Sequence, residues 1–353
     1  SGIYRNRRIP GLTVVDKMNG GKADSLNAGI NIAKGEYVLG IDADSILERN
    51  SLLHLTSIFL SEKEAPIAAG GNILPVNGCE VRDGVISKME VPRNAVALAQ
   101  TTEYLRAFMS GRLGWSKLNT LMIISGAFGL FRRSHLVELN GYLTASEKYE
   151  KDTVGEDMEL VVRMARREKE AKRKGRIVYN FHAHCWTEVP EKLSILKRQR
   201  VRWQRGLIDI LFYHSRMMFN PAFGTYGLLG FPYFLIVEVI GPWLEALGLV
   251  AFFGGIVLGV LPRDLILAFL AANCLLGFSV TAFSLYTSNT WKTLYSFKDR
   301  MKLYLMSVFE TAGLRQLFSI YRLSGLVSAL RKQHGWGAMP RTGFAKQKKK
   351  GNA

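Results

Sequence analysis

The sequence predicts an α/β domain followed by helices that lie at a membrane or cross it. Residues 1–190 alternate short apolar or β-branched strands with helical segments, and from Leu193 the chain becomes basic and then strongly apolar. Alternating strands and helices are typical of a sheet with helices on its faces, whereas apolar stretches of about 20 residues are long enough to span a bilayer. We therefore predict a water-facing unit followed by a membrane-associated unit.

The α/β unit opens with a strand–helix–strand pattern. The residue types predict a strand over residues 12–15, a helix over residues 21–33 and a second apolar strand over residues 37–41. Two strands joined by a crossover helix predict a parallel pair. Because ligands bind outside the carboxyl ends of parallel strands, the Asp42-Ala43-Asp44 segment at the end of the second strand is a candidate site.

The other elements of this unit follow from apolar periodicity and from turn residues. Asp44 or Ser45 would cap a helix that starts at residue 46. We predict helices over residues 46–59 and 156–173, strands over residues 67–69, 122–124 and 177–181, and a small-residue turn leading into an apolar stretch at residues 126–131.

The membrane-associated unit begins with a basic amphipathic stretch, residues 193–218, which suits a position among lipid headgroups. Three apolar segments follow over residues 223–241, 243–261 and 265–286, and the last two are long enough to span. The first contains Glu238, a carboxylate that is costly at membrane depth, so we predict a re-entrant or interfacial segment and two full spans. Three spans are the alternative.

A last apolar segment and the basic charge complete the membrane prediction. Residues 304–323 carry Glu310, Arg315 and Arg322, which places this segment at the interface or inside a helix bundle. The formal net charge is +18, and the basic residues cluster around the apolar half and in the tail at residues 346–350. That distribution favours the cytoplasmic face of a cell membrane. No helix-turn-helix, zinc-finger or RNP pattern is visible, so we do not expect nucleic acid as a partner.

The cysteines and the start of the chain bound its context. Three dispersed cysteines without a CxxC pair argue against a disulfide framework or a cysteine-based zinc site and favour a reducing compartment. The chain has neither a signal peptide nor an initiator methionine, so we expect a fragment whose N-terminal portion is missing.

Two aspartates after the second strand, Asp42 and Asp44, are the first candidates for chemistry. Neighbouring carboxylates are costly unless a cation joins them, and Mg²⁺ or Mn²⁺ commonly bridges carboxylates to phosphate oxygens. A polar strand-to-helix junction is the alternative. Lys22 and Asp24 lie in a Gly-Gly-Lys-Ala-Asp segment before the first helix. Its glycines would let a phosphate approach the backbone, although an ordinary loop entering a helix has the same composition.

Further acidic and cationic residues lie downstream. Glu156 and Asp157 open a helix and could supply a general base, although acids there also complement the helix dipole. Gln199, Arg202 and Trp203 belong to a Gln-Arg-Val-Arg-Trp segment just before the apolar region. Such a segment borders either an active site or nothing more than the membrane interface.

Two histidines precede another pair of acidic residues. His182 and His184 share one face of a strand, but further ligands at zinc spacing are lacking, so we interpret them as structural or acceptor-lining. Glu188 follows in a Thr-Glu-Val-Pro-Glu segment.

The order of these motifs resembles that of membrane-embedded family 2 glycosyltransferases, which include cellulose synthase catalytic subunits, hyaluronan synthases and poly-β-1,6-N-acetylglucosamine synthases. The resemblance runs from about Val14 to Phe344, and the C-terminal segment Gly335-Trp336-Gly337-Ala338-Met339-Pro340-Arg341 looks closest to the last of these branches. The shared motifs are Lys17 to Gly29, Asp42-Ala43-Asp44, Glu156-Asp157, Thr187-Glu188 with Pro190-Glu191, and Gln199 to Trp203.

This resemblance implies a nucleotide-diphospho-sugar transferase fold of the GT-A, Rossmann-like type, together with roles for the candidate residues. Asp157 would be the catalytic base with Glu156 beside it, and Asp42 and Asp44 would hold Mg²⁺ or Mn²⁺ on the diphosphate of a UDP-sugar. Lys22, Asp24 and Arg202 would bind the donor, and Gln199, Trp203 and Glu188 would border the acceptor. The family begins with a uridine-gripping strand that does not precede Val14, so poor nucleotide binding by this chain is expected.

The resemblance further implies four regions and a function. These regions are a transferase domain (residues 1–190), interfacial helices (191–222), a membrane region (223–323) and a basic cytoplasmic tail (324–353). The implied function is inverting, processive transfer of a sugar to a growing polysaccharide by a multi-pass plasma-membrane enzyme whose catalytic domain is cytoplasmic. The implied partners are a lipid bilayer and accessory biosynthesis or export subunits. Transfer of one sugar to a lipid or short glycan is one alternative, and a non-catalytic transport or scaffold subunit is another.

Overall fold

The structure of the chain is a computed structural model that describes residues 2–61, 66–144, 154–287 and 295–331. The strands in these ranges are β1 (Gly2–Arg5), β2 (Thr13–Asp16), β3 (Tyr37–Ile41), β4 (Ser45–Leu47), β5 (Ala68–Pro75), β6 (Glu80–Arg82), β7 (Val85–Lys88), β8 (Phe128–Arg132) and β9 (Ile177–Thr187). The basic tail and the Gly-Trp-Gly segment at residues 335–341 lie outside the described residues.

The helices alternate with these strands and then continue alone. They are α1 (Gly21–Ile32), α2 (Ser51–Ser61), α3 (Ala95–Tyr104), α4 (Leu113–Lys117), α5 (Arg133–Glu138), α6 (Glu156–Glu170), α7 (Leu193–Tyr213), α8 (Phe231–Tyr233), α9 (Gly241–Val257), α10 (Arg263–Thr287), α11 (Phe297–Phe309) and α12 (Arg315–Leu330). Wider π-helical turns join several of them without a break, at Leu105–Arg112, Tyr226–Gly230, Phe234–Ile240 and Glu310–Leu314.

A five-stranded mixed sheet in the order β3-β8-β5-β9-β4 forms the centre of the α/β unit. Strands β5 and β9 run parallel, and the other pairs in this sheet are antiparallel. Strand β5 is buried along its whole length. The sheet therefore has its core at β5, and its ends present the loops that carry the candidate residues.

The predicted parallel pairing of the strands near residues 12–15 and 37–41 is wrong within the described residues. Strand β2 pairs antiparallel with β1, and β3 pairs antiparallel with β8. The β1–β2 loop is short and is closed by the Asn6 and Leu12 backbone groups, so local pairing costs little loop-closure entropy. The helix between the two strands was predicted correctly.

Two other element predictions are also corrected. Residues 45–47, predicted as the start of a helix, form strand β4, because Ile46 and Leu47 pair with β9 before the helix begins at Ser51. Residues 122–124 form no strand. Ile124 instead fills the space beside Gly70 and Gly129, where a Cβ would lie 3.1 Å and 2.8 Å from its side chain. The strand is β8, which occupies the stretch predicted as a turn leading into apolar residues.

Close packing between β5 and β9 gives a stability prediction. A Cβ on Gly71 would lie 2.3 Å from two Phe128 ring carbons and 2.7 Å from the Ala183 carbonyl oxygen. Gly71→Ala should therefore lower the free energy of unfolding by about 1–3 kcal/mol. Gly29→Ala is the matched control, since nothing lies within 4 Å of its Cβ position inside α1, and a gain of about 0.5–1 kcal/mol is expected. Thermal unfolding followed by tryptophan fluorescence measures both, and equal stabilities would contradict the packing argument.

Among the described residues, two helices are long and apolar enough to cross a membrane, Tyr226–Val257 and Arg263–Tyr286. The predicted break between residues 223–241 and 243–261 is absent, since one continuous helix covers both. Pro232 and Pro242 lie in the first turns of α8 and α9, each directly after a π-helical turn, where a missing N–H disturbs the ladder least. The number of long apolar helices equals the two predicted spans, although the boundaries differ.

A second hydrophobic cluster joins the sheet to the helices that follow it. Leu74 and Trp186 at the ends of β5 and β9 pack with Leu105, with Leu285 of α10 and with Leu303 of α11. Trp186 is fully buried there. The α/β unit and the long helices therefore share a continuous core.

Candidate active site

Lys22 lies at the centre of a group of carboxylates. Its ammonium is 2.5 Å from Asp42 Oδ1 and 3.9 Å from Glu156 Oε1, and it donates to the Gly126 carbonyl at 3.3 Å. Helix α1 supplies the lysine, the end of β3 supplies Asp42, and the start of α6 supplies Glu156. Three motifs separated along the chain thus meet at one place.

Asp157 is oriented by two backbone hydrogen bonds. The Gly126 N–H donates to its Oδ2 at 2.9 Å, and the Met158 N–H donates to its Oδ1 at 2.8 Å. Gly126 must be small, because a Cβ there would lie 2.8 Å from the Lys22 ammonium and 3.4 Å from Asp157. The main chain therefore holds this carboxylate in place.

Glu156 is only 6% exposed, and its surroundings change its protonation. Burial, together with the Asp157 charge, raises the pKa of Glu156 to about 7, although Lys22 and Arg202 act in the opposite direction. Burial and the neighbouring Asp157 carboxylate thus outweigh the two nearby cations.

We expect the buried Glu156 to lower the free energy of unfolding as the pH rises. Its folded pKa lies above the ordinary 4.5, so the folded state binds the proton more tightly, and stability falls between pH 4.5 and about 7. Glu156→Gln removes this loss and should raise the free energy of unfolding by about 1–3 kcal/mol near neutral pH, with little effect below the ordinary pKa. Unfolding measured at acidic and at neutral pH gives the difference, and a pH-independent effect would contradict the assignment.

The Asp42–Ser45 turn joins β3 to β4 beside the end of β9. The Ser45 N–H donates to the Asp42 carbonyl at 3.0 Å, and both carboxylate oxygens of Asp44 are buried. Ser45, the residue after Asp44, pairs with Thr187, the residue before Glu188. The DxD and Thr-Glu motifs therefore lie side by side.

Helix α7 carries Arg202 of the Gln-Arg-Val-Arg-Trp segment. Arg202 is partly buried, and its pKa is lowered by burial, while Glu156, Asp157 and Asp42 act to raise it. Arg202 therefore faces the carboxylate group. The backbones of α6 and α7 meet directly, because a Cβ on Gly206 would lie 3.0 Å from Gly155, the residue before α6. This contact holds the start of α6 against α7, the helix that carries Arg202.

The remaining predicted residues have separate surroundings. Trp203 is 41% exposed, and Gln199 Oε1 is buried without a hydrogen-bond partner among the described residues. Asp24 forms an ion pair with Lys17. His184 contacts Glu48 at 2.5 Å, which agrees with a structural role for that histidine, whereas His182 is exposed on a bulge of β9. The structure therefore brings Lys22, Asp42, Glu156, Asp157 and Arg202 together, while the contact found for Asp24 is with Lys17.

Sequence reasoning missed several neighbours of the site. Gly126 lies in a segment interpreted only as a turn. Tyr142, which feels the charges of Asp157, Glu156 and Asp42, is held by two hydrogen bonds between its backbone and Asn27, at 2.7 Å and 2.8 Å. Glu103, 97 residues before Arg200 in the chain, holds that arginine at 2.6 Å. These contacts depend on the close approach of backbones and on pairing between residues far apart in the chain, so no local sequence pattern indicates them.

The carboxylates fit a hard divalent cation. Asp42 already has a cationic group, the Lys22 ammonium, at 2.5 Å. Within the described ranges no three His, Cys, Asp or Glu side chains form a complete metal site. Mg²⁺ and Mn²⁺ are commonly held by one or two carboxylates together with substrate phosphates, so two aspartates at a strand end match that kind of site.

Comparison with known families identifies the class of protein. The model of the family described as "Glycosyltransferase like family 2" matches residues 3–206, more than half of the chain. The chain belongs to this family and is a family 2 glycosyltransferase, with a GT-A-like α/β domain followed by long helices.

Curated relatives share the same region at low identity. The chain is 26% identical over 236 residues to a poly-beta-1,6-N-acetyl-D-glucosamine synthase of Staphylococcus aureus, covering 67% of this chain and 49% of that protein. It is 27% identical over 210 residues to the synthase of Staphylococcus epidermidis, covering 59% and 44%. The chain thus spans about half the length of the curated relatives that it matches.

A solved structure shows the same fold. The mannosyltransferase PcManGT of Pyrobaculum calidifontis, in complex with GDP-Man and Mn²⁺, superposes with a TM-score of 0.53 at 19% identity. The match covers 89% of this chain and 68% of that one. At this identity the likeness concerns the fold alone, and it extends beyond the α/β domain into the helices that follow.

Proposed function

We propose that this chain is a membrane-bound, inverting glycosyltransferase that transfers a sugar from a UDP-sugar to a growing polysaccharide. One observation carries the proposal: Asp42, Glu156, Asp157 and Arg202 converge around Lys22. A base and cationic groups side by side are what transfer from a nucleotide diphosphate requires. The curated relatives named above are polysaccharide synthases, which supports a polymeric product.

In the proposed reaction, the acceptor hydroxyl oxygen bonds to the anomeric carbon of the sugar while the bond from that carbon to the diphosphate breaks. Asp157 takes the hydroxyl proton, and its two backbone hydrogen bonds hold the carboxylate in place. Lys22 and Arg202 stabilise the negative charge of the departing nucleotide diphosphate. Mg²⁺ or Mn²⁺ held by Asp42 and Asp44 would supply further charge neutralisation at the diphosphate.

The acceptor is proposed to lie against α7. Trp203 offers a partly exposed indole face on which a sugar ring can stack, with Gln199 one turn earlier and Glu188 beyond the end of β9. Asp24 is proposed to border the donor from the first turn of α1. These roles place the acceptor between the carboxylates and the long helices.

The location proposed for the protein is the plasma membrane, with the two apolar helices spanning it and the catalytic domain in the cytoplasm. The divisions proposed above, residues 1–190, 191–222, 223–323 and 324–353, describe that arrangement. Helix α7 also packs closely against α12 and the α/β core, through Leu196 and Ile210 among others. Accessory biosynthesis or export subunits are proposed partners.

The test is a screen of nucleotide sugars for metal-dependent release of UDP by the full chain, with and without EDTA. We expect one UDP-sugar to give UDP release that EDTA abolishes and Mg²⁺ or Mn²⁺ restores. Sizing the product separates elongation from the rival function, in which one sugar is added to a lipid or short glycan. Release of no nucleotide from any donor would favour the non-catalytic scaffold instead.

A further inference from the structure

Arg200 of the Gln-Arg-Val-Arg-Trp segment is held by an ion pair with Glu103, although no role was assigned to it from sequence. It is only 7% exposed. Its Nη1 and Nη2 donate to Glu103 Oε1 and Oε2, each at 2.6 Å, in the parallel two-bond geometry that an arginine and a carboxylate favour. Glu103 lies near the end of α3, so this pair joins two helices across the protein interior.

The same guanidinium also contacts two aromatic rings. Its central carbon lies 4.8 Å from the centre of the Trp203 ring and 5.3 Å from that of Phe318 on α12. Residues three apart on a helix are neighbours on its surface, so Arg200 and Trp203 share one face of α7. Arg202 is two residues from Arg200 and turns toward the carboxylates instead.

The ion pair is strong enough to determine where the guanidinium lies. Burial acts to lower the pKa of Arg200, but Glu103 more than offsets this, so the pKa is raised. A flexible, solvated arginine could slide over an indole at little cost, whereas one fixed by two short hydrogen bonds presents a stationary flat cation. The indole that packs on it is then restricted to few orientations.

We propose that Glu103 is a positioning residue for the acceptor: through Arg200 it fixes the orientation of the Trp203 indole on which the terminal sugar stacks. The inference rests on the proposed function, because it assumes that Trp203 meets the acceptor. Glu103 itself touches neither substrate. Its effect should therefore appear in acceptor binding and leave donor binding unchanged.

The experiment compares Glu103→Gln, Glu103→Asp, Arg200→Lys and Trp203→Ala in the full chain. The acceptor probe is a short oligomer of β-1,6-linked N-acetylglucosamine, and UDP affinity is measured by calorimetry. Glu103→Gln keeps the shape but loses the charge and should raise the acceptor KM about tenfold without changing UDP affinity. Arg200→Lys loses the planar guanidinium and should raise the acceptor KM by a similar factor. Glu103→Asp keeps the charge and should raise the acceptor KM less than Glu103→Gln does.

A double variant shows whether Glu103 acts through Trp203. In the Trp203→Ala background, Glu103→Gln should add nothing to the acceptor KM, because effects that pass through one group are not additive. The matched stability control is Glu168→Gln, which removes the charge of a buried glutamate that pairs with the more exposed Arg173 at 2.8 Å. It should lower the melting temperature and leave the acceptor KM unchanged.

The outcomes separate the inference from the function on which it rests. If Trp203→Ala raises the acceptor KM but Glu103→Gln does not, the positioning role is overturned. Equal effects of Glu103→Gln on UDP affinity and acceptor KM would also overturn it, since they indicate a general structural role. If Trp203→Ala itself has no effect, the acceptor role proposed for Trp203 fails instead. Should Glu103→Gln not fold, Glu103→Asp and Arg200→Lys are judged by the same criteria.

Discussion

Asp157→Asn should reduce sugar transfer by about 10²–10⁴-fold while the fold and UDP binding persist. Asparagine has the same shape, but its amide cannot take a proton from the acceptor hydroxyl. Only one of its two polar atoms can accept a hydrogen bond, so either the Gly126 or the Met158 N–H loses its acceptor. The measurement is the rate of UDP release with donor and acceptor present, together with UDP affinity and melting temperature.

The matched control for this prediction is Asp83→Asn. Asp83 lies in the turn between β6 and β7 with a positive φ of 50°, a conformation that asparagine adopts readily. It should leave transfer and stability unchanged. Transfer by Asp157→Asn at a rate within a few fold of the wild type would contradict the assignment of Asp157 as the base.

Asp44→Asn should remove the metal dependence of the reaction along with most of its rate, by about 10²-fold or more. Asp44 is replaced here rather than Asp42, because a change at Asp42 would disturb its ion pair with Lys22. An asparagine carbonyl is a weaker ligand for a hard cation than a carboxylate. Electron paramagnetic resonance of Mn²⁺ with the full chain and UDP measures binding directly, apart from activity.

Glu48→Gln is the control for the metal prediction. Glu48 follows the other end of β4, four residues after Asp44, and contacts His184 at 2.5 Å. It should leave Mn²⁺ binding unchanged. If Asp44→Asn binds Mn²⁺ as tightly as the wild type, the DxD pair does not hold the metal, whatever happens to the rate.

The strand–helix–strand region shows how far sequence leads. Strand β3 and helix α1 were predicted to within a residue or two, because their apolar patterns are local and their ends carry glycines and acids. The pairing of β3 was not predicted, because its partner is β8, about 90 residues later in the chain. Strand β8 itself was hidden by Gly129, which leaves room for the Ile124 side chain, a packing reason that no local pattern reveals.

The sequence indicated which residues to consider for the candidate site, but it did not indicate the contacts between them. Asp42, Asp157 and Arg202 were singled out because their motifs occur together in one order, since each motif alone has an ordinary structural explanation. Lys22 as the link between them, and Gly126 as the donor to Asp157, depend on elements that meet only after folding. Glu103 is surrounded by ordinary helix residues, so the carboxylate that fixes Arg200 has no motif at all.

The shared core of Trp186, Leu74, Leu285 and Leu303 has a consequence for building hybrid enzymes. Exchanging residues 1–190 between two family 2 glycosyltransferases would cut through this packing and pair each half with side chains of the wrong shape. The natural unit of exchange must include the helices through α11. The catalytic portion and the long helices are accordingly expected to change together in evolution, as one inherited unit.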